Sequence, residues 1–246
     1  MIMLKLIDIH KTFNPGTINE KVALNGVDLH LNEGDFVTVI GGNGAGKSTM
    51  LNAVAGAWPV DSGKIIIGGT DVTKLSEYKR AAYLGRVFQD PMTGTAATMG
   101  IEENLALAKR RGKSRLLRPG ITRQEREEYH ELLKILGLGL EDRLTSKVGL
   151  LSGGQRQALT LLMATLKKPQ LLLLDEHTAA LDPKTAAKVL EITDMIVTRD
   201  HLTTMMITHN MRDAITHGNR LIMMWRERSF WISRVKKRKS LQSKIF

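Results

Sequence analysis

Short apolar runs alternate with longer amphipathic stretches along the chain. Four apolar runs are typical of strands buried inside a sheet, and they span 36–40, 170–176, 203–210 and 220–224. Helical periodicity is clear between the middle two, over 183–200. Because strands that alternate with helices usually pair in parallel, the pattern predicts a parallel sheet with helices packed against it.

The first part of the chain has a different pattern, in which apolar and polar residues alternate as they do in half-buried strands. The strands predicted there span 4–13, 22–40 with a turn at 32–34, and 63–72. A helix is predicted over about 47–57. From about 99 to 150 the sequence becomes helical and charged, and 121–139 is the clearest amphipathic helix, ending at a glycine.

Composition allows one sizeable core with a subdomain, since the chain has 246 residues, 42% of them hydrophobic. No run approaches the roughly 18 apolar residues that span a bilayer. Lys5 and Asp8 interrupt the N-terminal apolar run, which argues against a secretory signal. The sequence has no cysteine, which excludes disulfides and fits a reducing compartment. An aromatic content of 4% disfavours a stacking platform for single-stranded nucleic acid.

The formal net charge of +11 is unevenly distributed. Residues 225–246 hold eight Lys or Arg and one Glu, so this tail carries +7 and the rest of the chain +4. A charge of +4 is ordinary for a soluble domain. The basic signal therefore belongs to the tail, and we expect no nucleic-acid partner for the domain.

A candidate phosphate site lies at 41–49, "GGNGAGKST", which contains G-x-x-x-x-G-K-S directly after the strand at 36–40 and opens a predicted helix. In that context glycines let backbone N–H groups face phosphate oxygens, the lysine reaches the terminal phosphates and the serine can ligate Mg²⁺. The alternative, a glycine-rich turn that matches by chance, does not explain why motif, strand and helix agree. The candidate nucleotide-binding residues are Gly41, Asn43, Gly44, Ala45, Gly46, Lys47, Ser48 and Thr49, with Ser48 also a metal ligand.

Two carboxylates follow the apolar run at 171–174. The carboxyl ends of strands in open parallel sheets are where ligands bind. Asp175 is therefore a candidate Mg²⁺ ligand, and Glu176 is placed to orient and deprotonate an attacking water. The structural alternatives are a helix cap for Asp175 and a solvated loop acid for Glu176.

A second anion site is indicated where a helix begins after residue 151. Ser152 and Gln155 have the spacing of a capping box, yet Gly153 and Gly154 occupy the first turn, each costing roughly 1 kcal/mol against alanine in a helix interior. Bare glycines let a ligand approach backbone N–H groups, and a helix N-terminus binds anions. One ATP molecule cannot easily reach two separated helix starts unless two chains enclose it.

The phosphate loop, "LSGGQ" (151–155) and "LLLLDE" (171–176), in this order and spacing, resemble the ATP-binding cassette of ABC proteins over about residues 1–224. The resemblance implies an α/β fold with a P-loop NTPase (RecA-like) core, an N-terminal antiparallel β subdomain and an inserted α-helical subdomain over about 90–152. In that family two cassettes pair head to tail. The signature of one chain then binds the γ-phosphate held by the P-loop of the other.

Four further residues match positions of the family one at a time. Phe13 matches the aromatic residue that stacks on adenine, and Gln89 matches the glutamine that senses Mg²⁺ and water and contacts the transport partner. Asp182 matches the loop that crosses the dimer interface, and His209 matches the histidine that contacts the γ-phosphate. Taken alone, they could equally be a core aromatic, an exposed turn residue, a helix cap and a structural histidine.

The loop after Glu176 departs from the family pattern, because His177 and Ala179 stand where Pro and Ser are commoner. We expect His177 to alter the base or the stiffness of the loop modestly, and we infer no loss of activity. Three stretches resemble cassettes of bacterial amino-acid importers of the tryptophan/tyrosine type, at 14–29, 56–63 and 175–186.

The resemblance implies an ATPase subunit of a membrane transporter that imports amino acids or similar small solutes, with ATP and Mg²⁺ as cofactors. Its expected partners are a second cassette, transmembrane permease subunits and a substrate-binding protein, and its expected place is the cytoplasmic face of the membrane. A soluble ABC ATPase of translation or DNA repair is the alternative, but those usually carry two cassettes or a long coiled coil. A non-hydrolysing scaffold would be expected to lack Glu176 or His209.

Residues 225–246 do not fit the family, in which a glycine turn and another strand usually follow. One interpretation is a basic tail for anionic lipid or nucleic acid. We favour a frameshift, because codons exist for these residues such that dropping two nucleotides produces a glycine turn, a strand and an acidic helix start. On that hypothesis most of the net charge is accidental.

Overall fold

The computed structural model describes residues 1–112 and 120–225, together with the backbone of 229–234. Its strands are β1 (Ile2–Phe13), β2 (Lys21–Asn32), β3 (Phe36–Gly41), β4 (Ser62–Ile67), β5 (Thr70–Asp71), β6 (Leu84–Val87), β7 (Leu171–Asp175), β8 (Thr204–Ile207), β9 (Arg220–Trp225) and β10 (Ser229–Arg234). Its α-helices are α1 (Lys47–Ala55), α2 (Glu77–Arg80), α3 (Ile101–Lys109), α4 (Arg123–Lys134), α5 (Gly153–Thr165), α6 (Pro183–Asp200) and α7 (Met211–Thr216).

The strands form two sheets. A four-stranded antiparallel sheet has the order β2-β1-β4-β5, and a six-stranded sheet has the order β10-β9-β3-β8-β7-β6. Within the larger sheet the strands from β9 to β6 run parallel, and β10 pairs antiparallel at the edge. The predicted parallel core and N-terminal antiparallel subdomain are confirmed.

Successive side chains of the central strands pack alternately into two hydrophobic cores. Leu171 and Leu173 of β7 pack in one cluster with the antiparallel sheet and α1, whereas Leu172 and Leu174 pack in another with α3 to α6. Successive side chains of a strand point to opposite faces, and both faces of this sheet are covered. That double burial is why the predicted strands read as continuous apolar runs.

The inserted helical region lies between β6 and β7. Helix α4 begins at a capping box, in which Thr122 Oγ1 accepts a hydrogen bond from Glu125 N at 3.2 Å. Arg126 on α4 donates to both carboxylate oxygens of Glu102 on α3, at 2.6 and 2.9 Å. The predicted helix over 121–139 is therefore present but shorter. Part of the predicted subdomain, 113–119, lies outside the described residues.

Four elements were not predicted from the sequence, and one of them is the six-residue helix α7. Helix α2 has only four residues, and β6 is a four-residue strand in which Arg86 interrupts the apolar pattern. The fourth is β10, which pairs along β9 although no glycine turn precedes it. The rest of the atypical tail, 226–228 and 235–246, lies outside the described residues, and its assignment to a frameshift stays a prediction.

Candidate nucleotide-binding site

The phosphate loop connects the end of β3 to the start of α1, as predicted. Gly46, the residue before α1, has φ 87°, in the left-handed region that favours glycine. A Cβ on Gly46 would lie 2.5 Å from the carbonyl oxygen of Ala23 on β2. Neighbouring backbone therefore requires glycine at this position, independently of any ligand.

Lys47 extends its side chain back into the loop. Its Nζ donates to the carbonyl oxygens of Gly41, at 2.8 Å, and Gly42, at 3.1 Å. Burial lowers the pKa of Lys47, and the nearby carboxylate of Glu176 opposes that shift. The ammonium group is thus held inside the loop, where it can reach the terminal phosphates of a nucleotide.

A pocket of about 210 Å³ opens over the loop. It is lined by Phe13, Lys21, Ala23, Asn43, Gly44, Ala45, Gly46, Lys47, Ser48, Thr49, Glu176 and His209. The structure therefore brings together most of the predicted P-loop residues with the predicted aromatic residue, acid and histidine. Lys21 and Ala23 were not predicted, because nothing in the local sequence marks them as pocket residues.

Glu176 and His209 meet at the edge of the pocket. β7 and β8 pair in parallel with Asp175 opposite Ile207, so the residues that follow the two strands emerge side by side. His209 Nε2 lies 2.6 Å from Glu176 Oε1. The side chain of Glu176 is only 11% exposed, whereas that of His209 is 47% exposed. The acid therefore sits in the pocket with the histidine covering it from the solvent side.

Asp175 has a cationic neighbour that the sequence analysis missed. Arg86 Nη2 lies 3.6 Å from Asp175 Oδ2, and it also donates to Asn52 Oδ1 on α1 at 2.7 Å. Burial raises the pKa of Asp175, and the guanidinium group of Arg86 opposes that shift. A charged residue inside the apolar β6 was the available signal, since a half-buried arginine needs a partner.

The predicted magnesium ligands fit that metal by donor type. Ser48, Gln89 and Asp175 offer hydroxyl, amide and carboxylate oxygens, and Mg²⁺ prefers oxygen ligands completed by water and phosphate. Gln89 is exposed and does not line the pocket. Among the described residues, no group of three or more His, Cys, Asp or Glu side chains is arranged to hold a metal.

The signature residues and Asp182 lie away from this pocket. The predicted capping box is confirmed, with Ser152 Oγ accepting from Gln155 N at 3.3 Å and Gln155 Oε1 accepting from Ser152 N at 3.2 Å. Asp182 caps α6, where its Oδ1 accepts from Thr185 N at 3.1 Å. The helix-cap interpretation of Asp182 is therefore correct for the single chain.

Packing within the chain supplies a second reason for one signature glycine. A Cβ on Gly154 would overlap the methyl group of Thr185 on α6, and a Cβ on Gly153 would lie 3.1 Å from Leu181. From the sequence, both glycines were explained by ligand access alone. At Gly154 the close approach of the Thr185 side chain disfavours a larger residue independently of any ligand.

His177 does not face the nucleotide pocket. Its ring is 1% exposed, and Nε2 lies 3.1 Å from Thr193 Oγ1 on α6. Burial lowers its pKa to about 4, so the ring is neutral at pH 7. The substitution for the commoner proline thus ties the loop to α6, and its effect on the base stays a prediction.

The glycine-rich phosphate loop lies at the carboxyl end of a parallel sheet. The carboxylate that follows a strand two positions away in that sheet lines the same pocket. This arrangement defines a P-loop NTPase. The family model "ABC transporter" matches residues 24–179. The chain belongs to that family.

Curated relatives agree with this assignment. The chain is 44% identical over 227 residues to the tyrosine transport ATP-binding protein of Clostridioides difficile (strain R20291), covering 90% of this chain and 88% of that protein. It is 37% identical over 213 residues to the methionine import ATP-binding protein MetN of Rhizobium etli, covering 85% of this chain and 55% of that protein.

Solved structures show the same fold. A dimeric ATP-binding cassette in a post-hydrolysis state, bound to ADP and Pi, superposes with a TM-score of 0.79 at 29% identity, covering 95% of this chain and 99% of that one. No helix within the described ranges is long and apolar enough to cross a membrane. The chain is the ATP-binding, ATP-hydrolysing subunit of an ABC transporter of the importer class.

Proposed function

We propose that this subunit powers the import of an aromatic amino acid, with tyrosine the first candidate. The supporting observation is the 44% identity to a tyrosine transport ATP-binding protein along 88% of its length. The nucleotide site supplies energy and does not select the solute. The substrate assignment therefore rests on overall similarity, and the ATPase assignment rests on the pocket.

In the proposed site, ATP lies between the phosphate loop of one copy and Ser152–Gln155 of a second. Its adenine stacks on Phe13, and its terminal phosphates meet Lys47 and the N-terminus of α1. Mg²⁺, held by Ser48, Asp175 and Gln89, would neutralise phosphate charge. The separation of the signature from the pocket within one chain supports a second copy, whose Asp182 loop would also cross the interface.

Glu176 is the proposed base. Its carboxylate accepts a proton from water as the water oxygen bonds to the γ-phosphorus, and the bond from that phosphorus to the β–γ bridging oxygen breaks. His209, 2.6 Å from the carboxylate, orients it and can contact the γ-phosphate. Both residues follow adjacent parallel strands, so the sheet itself sets their separation.

The proposed assembly is peripheral, on the cytoplasmic face of the membrane. It contains two copies of this chain, transmembrane permease subunits and a substrate-binding protein. Closure around ATP would move the inserted helical region, and hydrolysis would release it. The importer relatives support this arrangement, as does the exposed position of Gln89 at the junction between the core sheet and the helical region.

Uptake measurements test the function. Cells that lack the gene would be complemented with the wild-type chain or with Glu176→Gln, and uptake of labelled tyrosine, tryptophan and methionine compared. We expect tyrosine uptake to fall on deletion and to recover with the wild-type chain only. A loss confined to methionine would refute the aromatic substrate, and full rescue by Glu176→Gln would refute the role of the base.

A further inference from the structure

Lys21 enters the nucleotide pocket from an element outside the P-loop. It is the first residue of β2 and pairs directly with Phe13, the last residue of β1. Both residues line the pocket over the phosphate loop. Its Nζ lies 3.7 Å from the point that a Cβ on Gly44 would occupy, so the ammonium group reaches the middle of the loop.

The pairing gives the two side chains a common direction. Directly opposed residues of an antiparallel pair project from the same face of the sheet, with Cβ atoms about 4.5–5.5 Å apart. An aromatic ring and an ammonium group are therefore presented together. Phe13 offers a flat apolar face suited to a base, while Lys21 extends toward the backbone N–H groups that receive phosphates.

The two lysines of the pocket meet different parts of the loop. Lys47 is tied to carbonyl oxygens at the beginning of the loop, Gly41 and Gly42. Lys21 lies against its middle, at Gly44. A phosphate chain bound along the loop would thus have one ammonium group at its terminal end and a second beside it.

Lys21 is free to take such a ligand. Within the described ranges, no carboxylate lies within 4.0 Å of its ammonium group. Lys11, the other lysine near the aromatic residue, is already paired with Asp61 at 2.9 Å and lies 5.6 Å from the Phe13 ring centroid. A cation without an acidic partner beside an anion-binding loop is suited to the anion itself.

We propose that Lys21, beside the base-stacking position of Phe13, binds a phosphate oxygen of the nucleotide. This inference rests on the proposed nucleotide site. In this arrangement the antiparallel sheet contacts the phosphate chain through Lys21 as well as the base.

Competition binding with a fluorescent ATP analogue tests the proposal, with ATP and inorganic tripolyphosphate as competitors. Lys21→Met should lower the affinity for both competitors by about fivefold, as expected for a partly exposed ionic hydrogen bond. Lys21→Arg should restore most of the affinity, and raised salt should reduce the difference between Lys21→Met and wild type. Phe13→Ala should weaken ATP but not tripolyphosphate, which has no base. Lys5→Met, at an exposed lysine on β1 outside the pocket, is the matched control.

Two results would overturn the proposal. One is unchanged affinity for both competitors in Lys21→Met. The other is weaker ATP binding with unchanged tripolyphosphate binding, which would mean that Lys21 supports the base or the ribose. Lys47→Ala separates this failure from failure of the site. If Lys47→Ala weakens both competitors and Lys21→Met neither, only the present inference fails. If Lys47→Ala leaves both unchanged, the proposed site itself is wrong.

Discussion

Glu176 has a backbone conformation that its residue type disfavours. Its φ is 46°, in the left-handed region that costs a non-glycine residue on the order of 1–3 kcal/mol. Two contacts hold it there: its N–H donates to the carbonyl of Ile207 at 3.1 Å, and its carboxylate meets His209. Such strain persists only where the surroundings impose it, and it turns the acid from the strand end into the pocket.

Replacing Glu176 with glutamine removes the proposed base but keeps the shape of the side chain. We expect ATP hydrolysis to fall at least about 100-fold, the usual contribution of a positioned base, while ATP binding is retained and the ATP-bound dimer accumulates. Phosphate release and gel filtration with ATP measure these effects. Glu131→Gln, at an exposed acid on α4, is the control. Normal turnover in Glu176→Gln would contradict the assigned role.

At the scale of elements, Arg80 joins the end of α1 to the segment before α2. It is 2% exposed and donates to four carbonyl oxygens, at distances of 2.6–3.0 Å. Two acceptors, the carbonyls of Ala53 and Val54, belong to the last turn of α1, where the helix supplies no i+4 donors. The carbonyl of Ala53 also accepts from Gly56 N at 3.2 Å. A buried cation at the negative end of the helix satisfies them.

Removing this guanidinium group should destabilise the fold. Arg80→Met leaves several buried carbonyls without donors, and we expect a loss of about 2–4 kcal/mol in the free energy of unfolding. Urea denaturation followed by circular dichroism measures it. The neighbouring, exposed Lys79→Met should change stability by less than about 0.5 kcal/mol. Equal stability of the two variants would show that the four hydrogen bonds contribute nothing net.

Tyr129 in α4 differs from Arg80 in the hydrogen bonding of its buried polar group. Its side chain is fully buried, and its hydroxyl finds no hydrogen-bond partner within the described parts of the chain. Burial raises its pKa to about 12, from 10.0. The unfolded chain therefore loses this proton at lower pH than the folded one, and stability falls as pH rises from 10 to 12.

Tyr129→Phe should remove both penalties. At pH 8 we expect equal or up to about 1 kcal/mol greater stability, since an unsatisfied hydroxyl disappears while the ring packing stays. Between pH 10 and 12 the variant should lose less stability than wild type. Thermal melts across this range test the prediction. Parallel pH profiles of the two proteins would show that another group controls alkaline unfolding.

At the scale of the whole molecule, one chain presents half of each proposed ATP site. The pocket holds the loop, the proposed base and the aromatic residue, while the signature at the start of α5 lies elsewhere. Specific ATPase activity should therefore rise with protein concentration, until the dimer saturates. Activity that is independent of concentration over a hundredfold dilution would refute a working dimer of isolated chains.

Truncation addresses the tail at the same scale. A chain that ends at Arg234 keeps β10, which covers the outer edge of β9, and we expect its concentration-dependent activity to match that of the full chain. Loss of activity on removing 235–246 would favour anionic lipid or nucleic acid as a partner of the tail. The codons of the gene decide the frameshift hypothesis separately, because codons that block the alternative frame exclude it.

Much of the site was predictable because its signals are local. A glycine loop between an apolar strand and a helix has few possible conformations, and the capping box of Ser152 and Gln155 is set within four residues. Asp175 and Glu176 were identified because they end a fully apolar run. The strands around the loop were recognisable for the same reason, because a strand that is buried on both faces has apolar residues at consecutive positions.

The sequence by itself thus determined the phosphate loop, the main alternation of strands and helices, and the candidate residues for the chemistry. Tertiary structure alone decided which distant residues share that site: Lys21 beside Phe13, Arg86 beside Asp175, and α6 against Gly154. It also decided that β10 extends the sheet without a glycine turn. These contacts join positions that are far apart in the chain, and they depend on strand register and helix packing, which no local pattern specifies.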